Sequence, residues 1–275
     1  MLKNLKLIIN NIISKVGYKI VKIKKKIKVS KSDKINLNIG SGKTSFDNFI
    51  NLDKTFNNIH NNNNYYEYDL TRDKLNFKDN SVDNIYVSHV IEHFNDKIVK
   101  DFLVDAVRVL KKDGVIRISC PDSEFLFNVS SFKNDYWNWR NRWFKERNIS
   151  LENLTQIDYL TQEIFTNKLR FFNKENQDFY EKIKNNFKYD FVMETLTSNQ
   201  KSLDDKIPPE HVNYFDENKI ESFFNHASKI NNITNFKIIL SKPNGSVSKE
   251  MQSTEFDNTH PQMSIYIDFV KMQNS

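Results

Sequence analysis

The sequence predicts an α/β fold, a mostly parallel seven-stranded sheet with helices flanking it, and three observations carry that prediction. First, residues 34–53 read KINLNIGSGKTSFDNFINLD, in which two short apolar alternations, Ile35 to Ile39 and Phe49 to Leu52, are joined through Gly40, Ser41 and Gly42 and closed by Asp53. Second, residues 82–120 run strand, amphipathic helix, strand, the rhythm of a parallel unit. Third, Phe236 to Leu240 and Ser264 to Val270 are strand-like runs that return after a long helical, aromatic stretch.

Each element follows from local chemistry. A glycine turn after a strand lets the backbone approach a ligand with its N–H groups exposed, and a carboxylate at the tip of the next strand can accept hydrogen bonds from a ribose diol. That pairing points to a nucleoside-containing cofactor. It does not complete a P-loop, which needs glycine where Leu37 stands, nor a dinucleotide fingerprint, which needs glycine at Ser45 and an acid further along than Asp53. Only Gly40 to Asn48 separate the two runs, so the first crossover must be abbreviated to a turn or so.

Tyr65 to Leu70 is the third strand and Val82 to Ser88 the fourth. HVIEHF, residues 89–94, passes into a helix that Asp96 is expected to cap, with Val99, Phe102, Leu103, Ala106, Val107 and Leu110 on one face. Lys111 and Lys112 suit the negative end of that helix and Gly114 its stop. Val115 to Cys120 is the fifth strand, turned by Pro121 and Asp122.

These motifs, LNIGSG…FINLD, DNSVD…SHVIEHF and DGVIRISCPD, resemble the class I S-adenosylmethionine-dependent methyltransferases, of the type 11-like, small-molecule and glycan kind. The resemblance covers 35–122 closely and 208–270 more loosely. It implies a Rossmann-like fold, S-adenosylmethionine as cofactor, and an abbreviated first crossover. It also implies cofactor-binding roles for Gly40, Ser41, Gly42, Asp53, Asp69, Leu70, Ser88 and His89, with Asp69 at the adenine and Ser88 and His89 at the methionine end. Glu92 and His93 open the next helix and His211, in the PPEHVNYF stretch, approaches from the other side; these three are the catalytic candidates. An imidazole titrates near neutrality and can take a hydroxyl proton. For each histidine, a structural role tying helix to loop stands as the other reading.

Residues 123–207 are read as a helical cap insertion, which in the resembled family covers the acceptor. Trp137, Trp139 and Trp143 interleave with Arg140 and Arg142 there. Aromatic faces stack on sugars and guanidinium groups pair with phosphate or carboxylate, so Trp139, Arg140 and Arg142 are the substrate-binding candidates. At least two of the three tryptophans are expected to be the cap's own core.

Residues 1–34 hold eleven lysines and one acid, for a net +10 against +6 for the whole chain. Leu2, Leu5, Ile9, Ile12, Val16, Ile20, Ile23 and Ile27 recur at helical spacing. That is a basic amphipathic arm, suited either to packing on protein or to a peripheral, anionic membrane surface, with nucleic acid the less favoured partner. One cysteine, Cys120, excludes an internal disulfide and suits a reducing, cytoplasmic setting, at the inner face of the membrane if the arm docks there. No apolar run of about 18 residues is present, so no span is expected. No zinc spacing appears; His89 and His93 are one helical turn apart but lack a third ligand in sequence, so no metal is assigned.

The reading is therefore a methyltransferase acting on a small polar acceptor, most plausibly an oxygen of a sugar or surface-polysaccharide precursor. Two other classes stay open: a scaffold with a degenerate Rossmann-like body, and a nucleotide-sugar transferase, for which the usual acidic metal pair is not evident.

Overall fold

The computed structural model describes residues 34–54, 64–130, 135–166, 168–198 and 210–272, all within one compact unit that spans 32–275. The basic arm of residues 1–33 and the Pro208–Pro209 pair lie outside the described residues.

Seven strands form one sheet: β1 (Asn36–Ile39), β2 (Ile50–Asp53), β3 (Tyr65–Glu67), β4 (Val82–Ser88), β5 (Leu110–Pro121), β6 (Phe236–Leu240) and β7 (Ser264–Lys271). Their order across the sheet is β3-β2-β1-β4-β5-β7-β6. The pairings from β3 to β5 are parallel, whereas β7 runs antiparallel to both β5 and β6. The mostly parallel seven-stranded sheet is as expected, and its antiparallel pairings lie at one edge. β4 and β5 sit in the middle and are covered on both faces, so their apolar residues run nearly unbroken (Ile85, Val87, Ile116, Ile118 and Cys120 are buried).

The helices are α1 (Asp96–Val109), α2 (Ser123–Ser130), α3 (Asn138–Glu146), α4 (Gln156–Ile164), α5 (Lys174–Asn185), α6 (Tyr189–Thr197) and α7 (Glu217–Ile230). α1 and α7 pack on each other, and α7 reaches the sheet through Phe224, whose ring stacks on Phe269 of β7 at 4.7 Å. Between Ser123 and Thr197 the described residues hold helices and no strand, as the aromatic stretch suggested. Leu126, Trp137, Leu160, Phe165 and Met193 form a second core there.

Three local expectations are corrected. Asn95, not Asp96, caps α1: its backbone is extended and its side chain accepts the Ile98 N–H at 3.0 Å, which leaves Asp96 to pair with Lys219. Gly114 does not stop that helix. α1 ends at Val109 and β5 begins at Leu110, so Lys111, Lys112 and Gly114 lie in the strand, across an irregularity in the β4–β5 pairing. Glycine is required there by close approach, since a Cβ would lie 2.9 Å from the Asp83 carbonyl oxygen.

The crossover from β1 to β2 is as short as expected and contains no helix. Side chains replace it: Asn51 donates to the carbonyls of Phe46 and Phe49, accepts from the Asn38 side chain at 2.9 Å, and is fully buried. Phe46 and Phe49 fold under the loop onto Tyr86 and Phe256, a small aromatic core that anchors the glycine turn.

Candidate active site

The site lies at the carboxyl ends of β1, β2, β4 and β5, on either side of the sheet's centre, where parallel sheets bind ligands. At β1, Gly40 takes φ +63 and its N–H donates to the Leu52 carbonyl at 2.8 Å. A Cβ on Gly40 would sit 2.4 Å from Cγ2 of Val90, so the turn is closed on that side by the residue that follows His89. Gly42 also has positive φ, +54, and nothing lies within 4 Å of where its Cβ would be. The loop is open above Gly42, but the N–H groups of Gly40 and Ser41 donate to the Leu52 carbonyl and that of Gly42 to Asp53, so the exposed N–H groups expected of the turn are not observed. Its register is tied to β2 by Asp53, whose Oδ2 accepts the Gly42 N–H at 2.9 Å, and to β3 by the Tyr65 hydroxyl, which donates to the Gly42 carbonyl. Ser41 is buried between them. This cradle fits the adenosyl end of the expected cofactor: a close backbone approach at Gly42 beside the carboxylate of Asp53.

Asp69 follows β3 and is 4% exposed. Its Oδ1 accepts from both the backbone N–H and the hydroxyl of Thr71, while Arg72 and Lys54 face Oδ2. Burial alone would raise its pKa; the Thr71 hydrogen bonds and the two cations outweigh burial and leave it below the ordinary value. Asp69 therefore shapes its turn first, and Leu70 sits half-buried beside it.

β4 ends in Ser88, whose hydroxyl accepts from Ser119 on β5 at 2.9 Å. His89 then adopts φ +52, a left-handed conformation uncommon outside glycine. That backbone holds because the His89 N–H donates to the Ser119 carbonyl at 2.8 Å and its ring contacts Ser264 through Nε2 at 2.9 Å. The reversal at His89 turns the chain into a single 3-10 turn, Ile91–His93, that faces the loop carrying His211.

Here the three catalytic candidates meet. Ligating atoms of Glu92, His93 and His211 all lie within 4.8 Å of one another. The two segments are joined by backbone: the N–H groups of Val212 and Asn213 both donate to the Glu92 carbonyl, and the Asn213 side chain donates to the Phe94 carbonyl and to Asp96. The imidazole rings of His93 and His211 meet edge to face, with centroids 4.8 Å apart. Nδ1 of His93 lies 3.0 Å from the Glu210 carbonyl oxygen and Nδ1 of His211 lies 3.2 Å from that of Ile164. A carbonyl only accepts, so each Nδ1 carries the proton and each Nε2 keeps its lone pair. Burial pulls His211 down to about 4, so its imidazole is neutral at physiological pH. Glu92 is 1% exposed. Burial would raise its pKa, but the contact with His89 and the neighbouring His93 and His211 hold it well below the carboxylate range, and it is ionised.

The cap contributes unequally. Trp139 is half-buried against the cap core, and its ring lies 6.3 Å from that of His260, which in turn lies 5.9 Å from His89. That line of rings leads from the cap to the end of β4. Trp137 is cap core, as expected. Arg140 stacks on Trp139 but spends its guanidinium on Glu163, with contacts of 2.6 and 2.7 Å. Arg142 is 89% exposed and pairs with Glu146 one helical turn on.

His260 and Ser264 were not legible in sequence, because their position depends on the β5–β7 pairing. The Asn38–Asn51 pair that holds the glycine loop was hidden for the same reason, although two asparagines inside apolar strand runs are themselves a signal.

The strand order, the glycine turn with its carboxylate, and the polar cluster after β4 define a Rossmann-like methyltransferase body. Residues 44–118 match the family model described as a methyltransferase domain, a span that includes Asp53, Asp69, Ser88, His89, Glu92 and His93. Over that span the chain is similar to a methyltransferase domain, and its sheet order is that of the Rossmann-like methyltransferase fold. No curated protein matches it. Among solved structures, a putative S-adenosyl-L-methionine-dependent methyltransferase from Methanococcus maripaludis is 16% identical, with 98% of this chain and 86% of that one covered and a TM-score of 0.37. One from Archaeoglobus fulgidus is 13% identical over 96% and 93%, with a TM-score of 0.40. One from Listeria monocytogenes is 10% identical over 88% and 92%, with a TM-score of 0.43. These likenesses are distant, and nothing about the acceptor rests on them.

Proposed function

We propose that the chain methylates an oxygen of a small polar acceptor, a sugar or a surface-polysaccharide precursor. The observation that carries this reading is the chemistry of the cluster beyond β4. Glu92, His93 and His211 bring a carboxylate and two imidazoles within 4.8 Å of one another, and each Nδ1 is turned to a backbone carbonyl. A hydroxyl must shed a proton as it attacks a methyl group, and a set of acceptors serves that need. The line of rings from Trp139 through His260 to His89 suits an acceptor with a flat apolar face, as a sugar ring has.

S-adenosylmethionine supplies an activated methyl on a good leaving group, so the protein's task is alignment and proton removal. The Gly40–Gly42 turn and Asp53 would hold the nucleoside, with Ser88 and His89 at the methionine end. His93 or His211 would receive the proton, and such a base contributes about 10²- to 10⁴-fold. A cytoplasmic setting goes with this reading, as does peripheral membrane contact through residues 1–34.

Calorimetric titration with S-adenosylhomocysteine tests the cofactor site. Asp53→Ala is expected to weaken binding by about tenfold to a hundredfold, the loss of one or two charge-assisted hydrogen bonds of roughly 1.5–3 kcal/mol. Transfer of labelled methyl to a panel of sugars, nucleotide-sugars and amines tests the acceptor. Label appearing only on amines would sink the oxygen reading.

A further inference from the structure

We propose that Glu92, His93 and His211 together bind a divalent first-row transition-metal ion, which holds the acceptor's oxygen for methyl transfer. This rests on the methyltransferase reading for its purpose, but its evidence is the geometry of the three side chains alone.

The argument is one of counting protons. His93 gives its Nδ1 hydrogen to the Glu210 carbonyl and His211 gives its own to the Ile164 carbonyl. Both Nε2 atoms therefore carry lone pairs. Nε2 of His211 lies 3.9 Å from Oε1 of Glu92, and the ligating atoms of all three residues fall within 4.8 Å of one another. In the neutral rings each Nε2 is an electron-pair donor, so a carboxylate and two imidazoles converge on one small volume. Apart from Nδ1 of His89, no group among the described residues donates to either oxygen of Glu92, although the side chain is buried. A buried carboxylate in that condition costs several kcal/mol unless a positive charge sits beside it.

One protein group could supply that charge. Nδ1 of His89 lies 3.2 Å from Oε1 of Glu92. The His89 ring is already engaged at Nε2 with Ser264, whose hydroxyl donates to the His260 carbonyl at 2.9 Å, so Nε2 of His89 is the donor in that contact. Nδ1 of His89 is then left facing Glu92. The cluster is balanced either by a proton on His89 or by a cation at the centre, and the two differ in what they bind.

Two imidazole nitrogens and one carboxylate oxygen are the donor set of a first-row divalent ion with open positions, not of an all-oxygen calcium or magnesium site. A small closing of the side chains would bring them to metal–ligand distances of about 2.0–2.2 Å. The carbonyl partners of the two Nδ1 atoms are the outer contacts that fix metal-binding histidines in the right tautomer. The backbone hydrogen bonds from Val212 and Asn213 to Glu92 hold the two ligand-bearing segments together without the ion. An ion here would also lower the pKa of a bound hydroxyl, so that with the metal in place the proton leaves to solvent and His93 and His211 serve as ligands, whereas without it one of them is the base.

The test is titration of the chelator-stripped full chain with Co²⁺, Mn²⁺ and Zn²⁺, read by calorimetry, by metal content after desalting, and by the visible spectrum of the Co²⁺ form. One ion per chain is expected, at micromolar affinity or tighter. Glu92→Gln, His93→Gln and His211→Gln are each expected to weaken it at least a hundredfold, while His226→Gln, on the exposed face of α7, leaves it unchanged. Absence of binding by the folded wild-type chain overturns the proposal and assigns the charge balance to His89. So does binding that survives all three ligand substitutions. S-adenosylhomocysteine titration of the same stripped protein, with no metal added, reports separately on the methyltransferase reading, so the two can fail independently.

Discussion

A single methyl group added at Gly40 would lie 2.4 Å from a Val90 methyl, on a backbone whose φ of +63 already disfavours a side chain. Gly40→Ala is expected to cost about 1–3 kcal/mol, seen as a lower urea midpoint with an unchanged slope. It should also weaken S-adenosylhomocysteine, because Val90 must move and takes His89 with it. Asp122, at the end of β5, offers a pH test. Burial pushes its carboxyl up to about 6 from 3.8, against the hydrogen bond it accepts from the Phe125 N–H. The folded-state value is the higher one, so its contribution to stability is fully present below pH 3.8 and is lost as the pH rises through 6. Asp122→Asn, which keeps an acceptor for Phe125, should therefore raise stability at pH 8 by on the order of 1 kcal/mol after solvent screening, seen as a higher melting temperature, and make little difference at pH 4. Gly40, Gly42 and Asp53 could be picked out in sequence because a strand, a glycine turn and a strand-end acid are near neighbours in the chain. His260 and Ser264 could not, since only the sheet brings them to His89.

Among the elements, β5 shows where local pattern stops being enough. Its run from Val115 to Cys120 reads as a buried strand, and Arg117 in the middle of it looks like the outward residue of an alternation. Arg117 is instead fully buried, with hydrogen bonds to Asp257 and Asp268 and to the carbonyl of Lys242. Removing one partner of such a group strands the others in low dielectric. Arg117→Ala is expected to destabilise by about 3–5 kcal/mol, measured by denaturant unfolding, whereas a paired change that also neutralises Asp257 and Asp268 should recover part of the loss. β4 and β6 were legible to within a residue, because alternation is bounded there by clear stops. The start of α1 and the role of Gly114 were not. Asn95 and Asp96 are both good caps and only backbone geometry chooses between them, while the glycine answers to a carbonyl on another strand.

At the scale of the molecule, the sheet carries the cofactor cradle, and the cap region with the 210–213 loop completes the polar cluster. Among the described residues no helix is long and apolar enough to cross a membrane. The fold class was readable because strand signals recur at both ends of the chain. The meeting of Glu92, His93 and His211 was only partly readable, since His211 arrives after the whole cap and its partner segment is fixed by backbone hydrogen bonds no pattern announces. The β5–β7 pairing carries a further cost, borne during synthesis. Arg117 and Asp268 are 151 residues apart, so β5 has been made long before the strand that covers its edge exists. Until β7 emerges, a twelve-residue strand with a buried arginine and an unpaired edge waits in the nascent chain. Folding of this enzyme is therefore paced by its most distant pairing. Chaperone dependence should track substitutions in β7 more closely than substitutions anywhere near the glycine turn.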